Sequence, residues 1–117
     1  MITHEIKVDM VPGKPQPKIC LSKGDTDFEI LCTLYAGTGT LSVENGTTAS
    51  LNGRKADGTT YTVASLELDE DNGEYVATIP GTEDMTSVAG LGACEICLTS
   101  DDKELHSQNI RVFVEDI

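Results

Sequence analysis

At 117 residues and 12.5 kDa the chain has the size of one compact domain, which leaves no room for a two-domain enzyme with an interdomain cleft. Lys and Arg total 8 against 20 Asp and Glu, a formal net charge of −12. That balance excludes the basic face that nucleic-acid phosphates and anionic bilayers require. The acid is concentrated: residues 61–117 hold 13 acids and two bases, Lys103 and Arg111, whereas residues 1–60 hold 7 acids and 6 bases. No stretch approaches the roughly 20 apolar residues of a membrane-spanning helix. Glu5 and Asp9 stand where a signal-peptide core would lie. The expectation is a single domain over residues 1–117, made in the cytoplasm, with no signal peptide and no membrane segment.

Taken in chain order, the elements read as strands. His4, Ile6, Val8 and Met10 alternate with Glu5, Lys7 and Asp9. Gly13-Lys-Pro-Gln-Pro17 then breaks the pattern, and Lys14, Pro15, Pro17 and Lys18 are residues that blunt a sheet edge. A short strand runs from Ile19 to Leu21, followed by the loop Lys23 to Thr26. The segment Phe28 to Ala36 is the strongest strand, with Phe28, Ile30, Cys32 and Leu34 on one face. Gly37 to Leu41 is a loop. Thr47 to Arg54 is extended with Ala49, Leu51 and Gly53 on one side. Asp57-Gly58 predicts a type I′ hairpin turn, and Thr59 to Val63 is the return strand. Leu66 and Leu68 continue it. Asn72-Gly73 predicts a second hairpin, leading into Glu74 to Ile79 and Pro80. Thr82 is placed to cap one helical turn that has Glu83 and Asp84 at its start. Cys94, Ile96 and Leu98 alternate with Glu95, Cys97 and Thr99. After a turn at Asp101-Asp102-Lys103, a last strand spans about His106 to Glu115. Turns at such intervals, with no sustained helical period, predict an all-β, immunoglobulin-like β-sandwich of seven to nine antiparallel strands.

The chemistry-bearing residues do not assemble into a catalytic set. Cys94 and Cys97 form a C-x-x-C, but residues three apart on a strand point to opposite faces, so their sulfurs diverge rather than converge on a metal. Cys32 and Cys94 occupy apolar faces of two central strands, positions from which an immunoglobulin-like domain bridges its sheets. A disulfide and two buried thiols are the alternatives; without an export signal the thiols are the expectation. Cys20 and Cys97 are also expected to be reduced, with Cys97 partly exposed. Asp69-Glu-Asp71-Asn72-Gly73 starts like a calcium loop, yet Pro80 and a strand intervene before any closing acid near Asp84 and Met85. It reads as a solvated hairpin. Asn45-Gly-Thr47 is a sequon that reads as a turn, and Asp25 and Asp27 read as turn caps. His4 and His106 lie on the two terminal strands with no nucleophile elbow near them. The expectation is no enzyme, no catalytic or metal site and no cofactor.

Several of these stretches together resemble a phage family. Lys18-Ile-Cys-Leu-Ser-Lys-Gly-Asp25-Thr26, followed by the strand Phe28 to Tyr35, is similar to the opening of the N-terminal immunoglobulin-like domain of phage baseplate upper proteins. Gly53-Arg-Lys-Ala-Asp57-Gly58-Thr59 resembles that family's hairpin, with Ala56 where Pro is more usual. Met85-Thr86, Ala89-Gly90 and Cys94-Glu95-Ile96 resemble its next series, and Ile110 to Glu115 its last strand. The resemblance covers about residues 18–116. It implies a phage or prophage virion structural protein, a tail baseplate attachment domain linking receptor-binding or fibre components to the tail. Its implied partners are other tail and baseplate proteins and copies of itself. The competing reading is an immunoglobulin-like module of a bacterial surface or secreted protein with a carbohydrate ligand. That reading calls for a row of exposed aromatics in a chain with three Tyr, two Phe and no Trp.

Overall fold

The computed structural model describes residues 1–13 and 15–116; Lys14, one of the edge residues, lies outside them. Period-two alternation becomes nine strands: β1 (Ile2–Asp9), β2 (Lys18–Ser22), β3 (Phe28–Tyr35), β4 (Thr48–Arg54), β5 (Thr60–Asp71), β6 (Glu74–Pro80), β7 (Gly90–Ser100), β8 (Lys103–His106) and β9 (Ile110–Glu115). One helical turn, α1 (Glu83–Thr86), sits between β6 and β7, and the Thr82 side chain accepts from the Met85 amide at 3.4 Å. The face predicted to be internal in β3 is buried: Phe28, Ile30, Cys32 and Leu34 are all under 5% exposed. Ala49 and Leu51 of β4, Cys94, Ile96 and Leu98 of β7 and Ile110, Val112 and Val114 of β9 complete the same core.

The chain is all-β, but the expected sandwich of antiparallel strands is corrected in two respects. First, the ladder is continuous, in the order β1-β3-β6-β5-β4-β7-β9-β2 with β8 beside β7. The 12-residue β5 joins its halves: Thr60 to Leu66 pairs β4, and Glu67 to Asp71 pairs β6. A bulge falls where Ala49 faces Leu66 and Leu51 faces Val63. Such an irregularity bends a strand, and here it carries β5 from one side of the core to the other. The result is a nearly closed, barrel-like sheet. Second, both end strands pair in parallel, β1 with β3 and β2 with β9. Parallel neighbours need a crossover connection; β2, on the far side of the core, provides it between β1 and β3.

Polar groups tie the β1 end of the ladder to the β8–β9 connection. The Gln108 amide donates to the Asp9 carbonyl at 2.8 Å, and the Asp9 amide donates to Gln108 Oε1 at 2.9 Å. The Asp9 carboxylate is fully buried, and its Oδ1 accepts from the Val11 and Gly37 amides at 2.8 Å each. Its Oδ2 has no partner among the described residues. Ser107 completes the tie: its amide donates to the Ile96 carbonyl and its hydroxyl oxygen accepts from the Ile96 amide, both at 2.9 Å. This is why the expected single last strand is split into β8 and β9. Ser107 and Gln108 turn inward to satisfy backbone groups of β7 and β1 instead of continuing the ladder. Replacing Asp9 by alanine orphans two amides and is expected to lower unfolding stability by about 2–3 kcal/mol. Asp9→Asn, which keeps an oxygen for both amides, is expected to cost less. Urea denaturation checks this, and an alanine variant as stable as wild type would show that the tie carries no stability.

Candidate functional site

The sequence stretches that carry the family resemblance meet around α1. The Gly24 amide donates to the Thr86 carbonyl at 3.1 Å, and the Thr86 hydroxyl donates to the Asp25 carbonyl at 2.7 Å. Gly-Asp-Thr and Met-Thr are thus two halves of one contact, and Thr86 is fully buried in it. On the other side Lys55 Nζ lies 3.7 Å from Asp84 Oδ1. A Cβ on Gly90 would come within 2.7 Å of the Ala56 Cβ, so Ala89-Gly90 packs directly against the β4–β5 hairpin. These residues fix turns and approach distances.

The β4–β5 turn itself departs from the type I′ expectation. Gly58 is at φ 88°, while Asp57 is not at positive φ. The Gly58 amide donates to the Lys55 carbonyl at 3.0 Å, and the Lys55 amide donates to the Thr59 carbonyl at 2.8 Å. This is a type I turn followed by a left-handed glycine. Asp57 is the reason: its Oδ1 accepts from the Thr59 hydroxyl at 2.6 Å and the Thr59 amide at 3.0 Å, which holds its carboxyl below the usual carboxylate range. Asn72 and Gly73, at φ 52° and 83°, form the hairpin predicted for the β5–β6 connection. At the far end of the β5–β6 ladder from this turn, a hydrogen bond and the charge of Asp69 raise the exposed Glu67 carboxyl, with Glu29 contributing. Asn45-Gly46-Thr47 is a turn in which the Thr47 hydroxyl donates to the Glu44 carbonyl at 2.6 Å.

All four cysteines are free thiols. Cys32 and Cys94 face the core from β3 and β7, and burial pushes both up to about 12, Cys32 further raised by its proximity to Cys94. Burial raises the Tyr61 phenol as well, and its hydrogen bond with Cys94 opposes the rise of that thiol. Cys97 points to the opposite face from Cys94, as its strand position requires, but the expected partial exposure is corrected: it is only 4% exposed. His106 lies against it, with Nε2 4.0 Å from Cys97 Sγ and Nδ1 3.1 Å from Glu95 Oε1. Glu104 Oε2 is 3.7 Å from the same Nε2.

The sequence reading missed this Cys97–His106–Glu95 contact. The signal was present, because a two-residue turn at Asp101-Asp102 pairs Cys97 with His106 in the hairpin register. The imidazole stands where a base would stand for a thiol nucleophile. However, the sulfur is buried, and the two adjacent depressions are lined by Glu95 or by Glu104 and Leu105, not by Cys97 and His106. The contact packs β8 onto β7. Among the described residues, no group of three His, Cys, Asp or Glu side chains is arranged to hold a metal ion.

The outward face of the β4–β7–β9–β2 side offers a different feature. Asn52, Arg54, Thr60, Thr62, Glu95 and Asn109 border an open groove of about 490 Å³ there. Its walls present amides, hydroxyls, one guanidinium and the Glu95 carboxylate, which His106 engages.

The fold is similar to that of a phage protein domain. The N-terminal domain of phage TP901-1 ORF48 superposes with a TM-score of 0.69 at 13% sequence identity, covering 98% of this chain and 99% of that one. No family model matches the chain, and no curated relative does.

Proposed function

We propose that the chain is a structural module of a phage or prophage tail, a baseplate attachment domain that links receptor-binding or fibre components to the tail. It acts as one unit over residues 1–117, in contact with other tail proteins and with copies of itself, and performs no reaction. The observation that carries this reading is the end-to-end fold similarity to the ORF48 domain, combined with the meeting of the family-like stretches around α1. Those stretches are scattered in sequence, and their joint packing gives their order a physical reason. Virion assembly in the host cytoplasm also suits a chain with four free thiols. The carbohydrate-binding reading calls for a row of exposed aromatics, and it is less well supported: Phe28 and Tyr61 are buried, Tyr75 packs against the core, and Tyr35, which shares an open groove with Tyr75, lies on the opposite side of the barrel from Phe113.

Mass spectrometry of tails purified from induced particles tests the proposal. The chain is expected at a fixed ratio to the other tail proteins. Its absence from intact tails, with the protein present in the lysate, would overturn the reading.

A further inference from the structure

Three of the eight bases form one line across the outside of the barrel. Register pairs Arg54 of β4 with Ala93 of β7, Ala93 with Arg111 of β9, and Arg111 with Lys18 of β2. All three cations are exposed, and the small Ala93 between them leaves the line open. No carboxylate among the described residues lies within ion-pair distance of Arg54, Arg111 or Lys18. Glu95, the nearest acid along β7, is engaged by His106 instead. Two residues further along the same strands runs a second line, Leu91, Phe113 and Cys20, in which Leu91 is 49% exposed. Lys18 Nζ sits 5.4 Å from the centre of the Phe113 ring, so an ammonium caps the junction of the two lines.

In a chain of net charge −12, three unpaired cations in one line beside an apolar line are a patterned surface. We propose that this face binds an extended acidic segment of a neighbouring protein, lying between the two lines. Charge complementarity selects the acid, and the geometry selects the extended form. Neighbouring strands are about 4.8 Å apart, so the cation line spans roughly 14 Å. Alternate side chains of an extended segment recur about every 7 Å. Carboxylates on one side of such a segment therefore reach the cations, while apolar side chains on the other side meet Leu91 and Phe113. The proposal rests on the reading of the chain as a module that contacts other proteins, but its test needs no virion.

The probe is a short fluorescent peptide of alternating glutamate and leucine, titrated against the whole chain and followed by anisotropy. Binding is expected at low salt, weaker at high salt, and lost when glutamine replaces glutamate in the peptide. The double variant Arg54→Glu/Arg111→Glu is expected to weaken binding at least about tenfold. Lys7→Glu/Lys103→Glu, which changes net charge equally at exposed positions off this face, is expected to leave it within about twofold. Amide shifts in NMR are expected at Lys18, Arg54, Ala93 and Arg111. No binding at low salt, equal losses in the two double variants, or shifts confined to other strands would overturn the proposal. So would salt-sensitive self-association that the Arg54→Glu/Arg111→Glu variant abolishes, since a second copy would then be the occupant. Tails that contain the chain while the peptide fails to bind would remove this surface and leave the virion role standing.

Discussion

Raising the pH from about 8 to about 10 is expected to remove roughly 4 kcal/mol of unfolding stability, through the two core thiols. Cys32 and Cys94 are held near 12 in the folded chain, whereas a thiol in the unfolded chain titrates near 8.5, to about a unit. Below the unfolded value both states carry the protons, and these groups impose no pH dependence. Above it the unfolded chain sheds protons that the folded chain retains. Stability therefore falls by about 1.4 kcal/mol per pH unit for each thiol, until the folded values near 12 are reached. Tyr61, also raised by burial, adds to the loss at higher pH. Urea titrations across this range measure the slope. Cys32→Ala/Cys94→Ala lowers the starting stability by leaving small cavities but is expected to flatten the dependence. A wild-type chain as stable at the upper pH as at the lower would show that the thiols are not sealed in the core.

Replacing Gly53 by alanine is expected to destabilise the fold by about 3 kcal/mol, at the upper end for overpacking. A Cβ at Gly53 would lie 2.1 Å from Tyr61 Cζ and within 2.5 Å of both Cε atoms. The ring is 8% exposed and lies flat over the glycine, where β4 and β5 pair residue 53 with residue 61. The clash is with a packed ring near the Cys94 thiol, so it cannot be relieved by a flexible chain end swinging into water. Adding Tyr61→Ala is expected to recover much of the loss caused by Gly53→Ala, a coupling that a double-mutant cycle in denaturant measures. Additive losses would mean that the ring does not occupy this position.

Much of the local structure was legible because period two is a strong signal where one face is buried. Phe28 to Leu34, Ala49 to Gly53 and Cys94 to Leu98 fell on the predicted faces. The helical turn at Thr82 and the Asn72-Gly73 hairpin were also legible, since capping and left-handed turns need particular side chains. Other features were decided elsewhere in the chain. The turn type at Asp57 depended on the Thr59 hydroxyl. The break at Ser107 depended on partners in β7 and β1. The exposure of Cys97 depended on which residue the β7–β8 hairpin laid over it.

By itself the sequence determined that this is an all-β chain whose excess acid lies mostly in residues 61–117, because alternation and turn chemistry act over a few residues. Only the tertiary structure decided that the ladder closes into a barrel-like sheet rather than two stacked layers. That outcome turns on β5 pairing two different strands and on Asp9 meeting Gln108, 99 residues away. It also decided that Lys18, Arg54 and Arg111 share one line. Their positions in the sequence give no hint of it, because a cross-strand row is set by register between strands, and register is fixed only when the whole core packs.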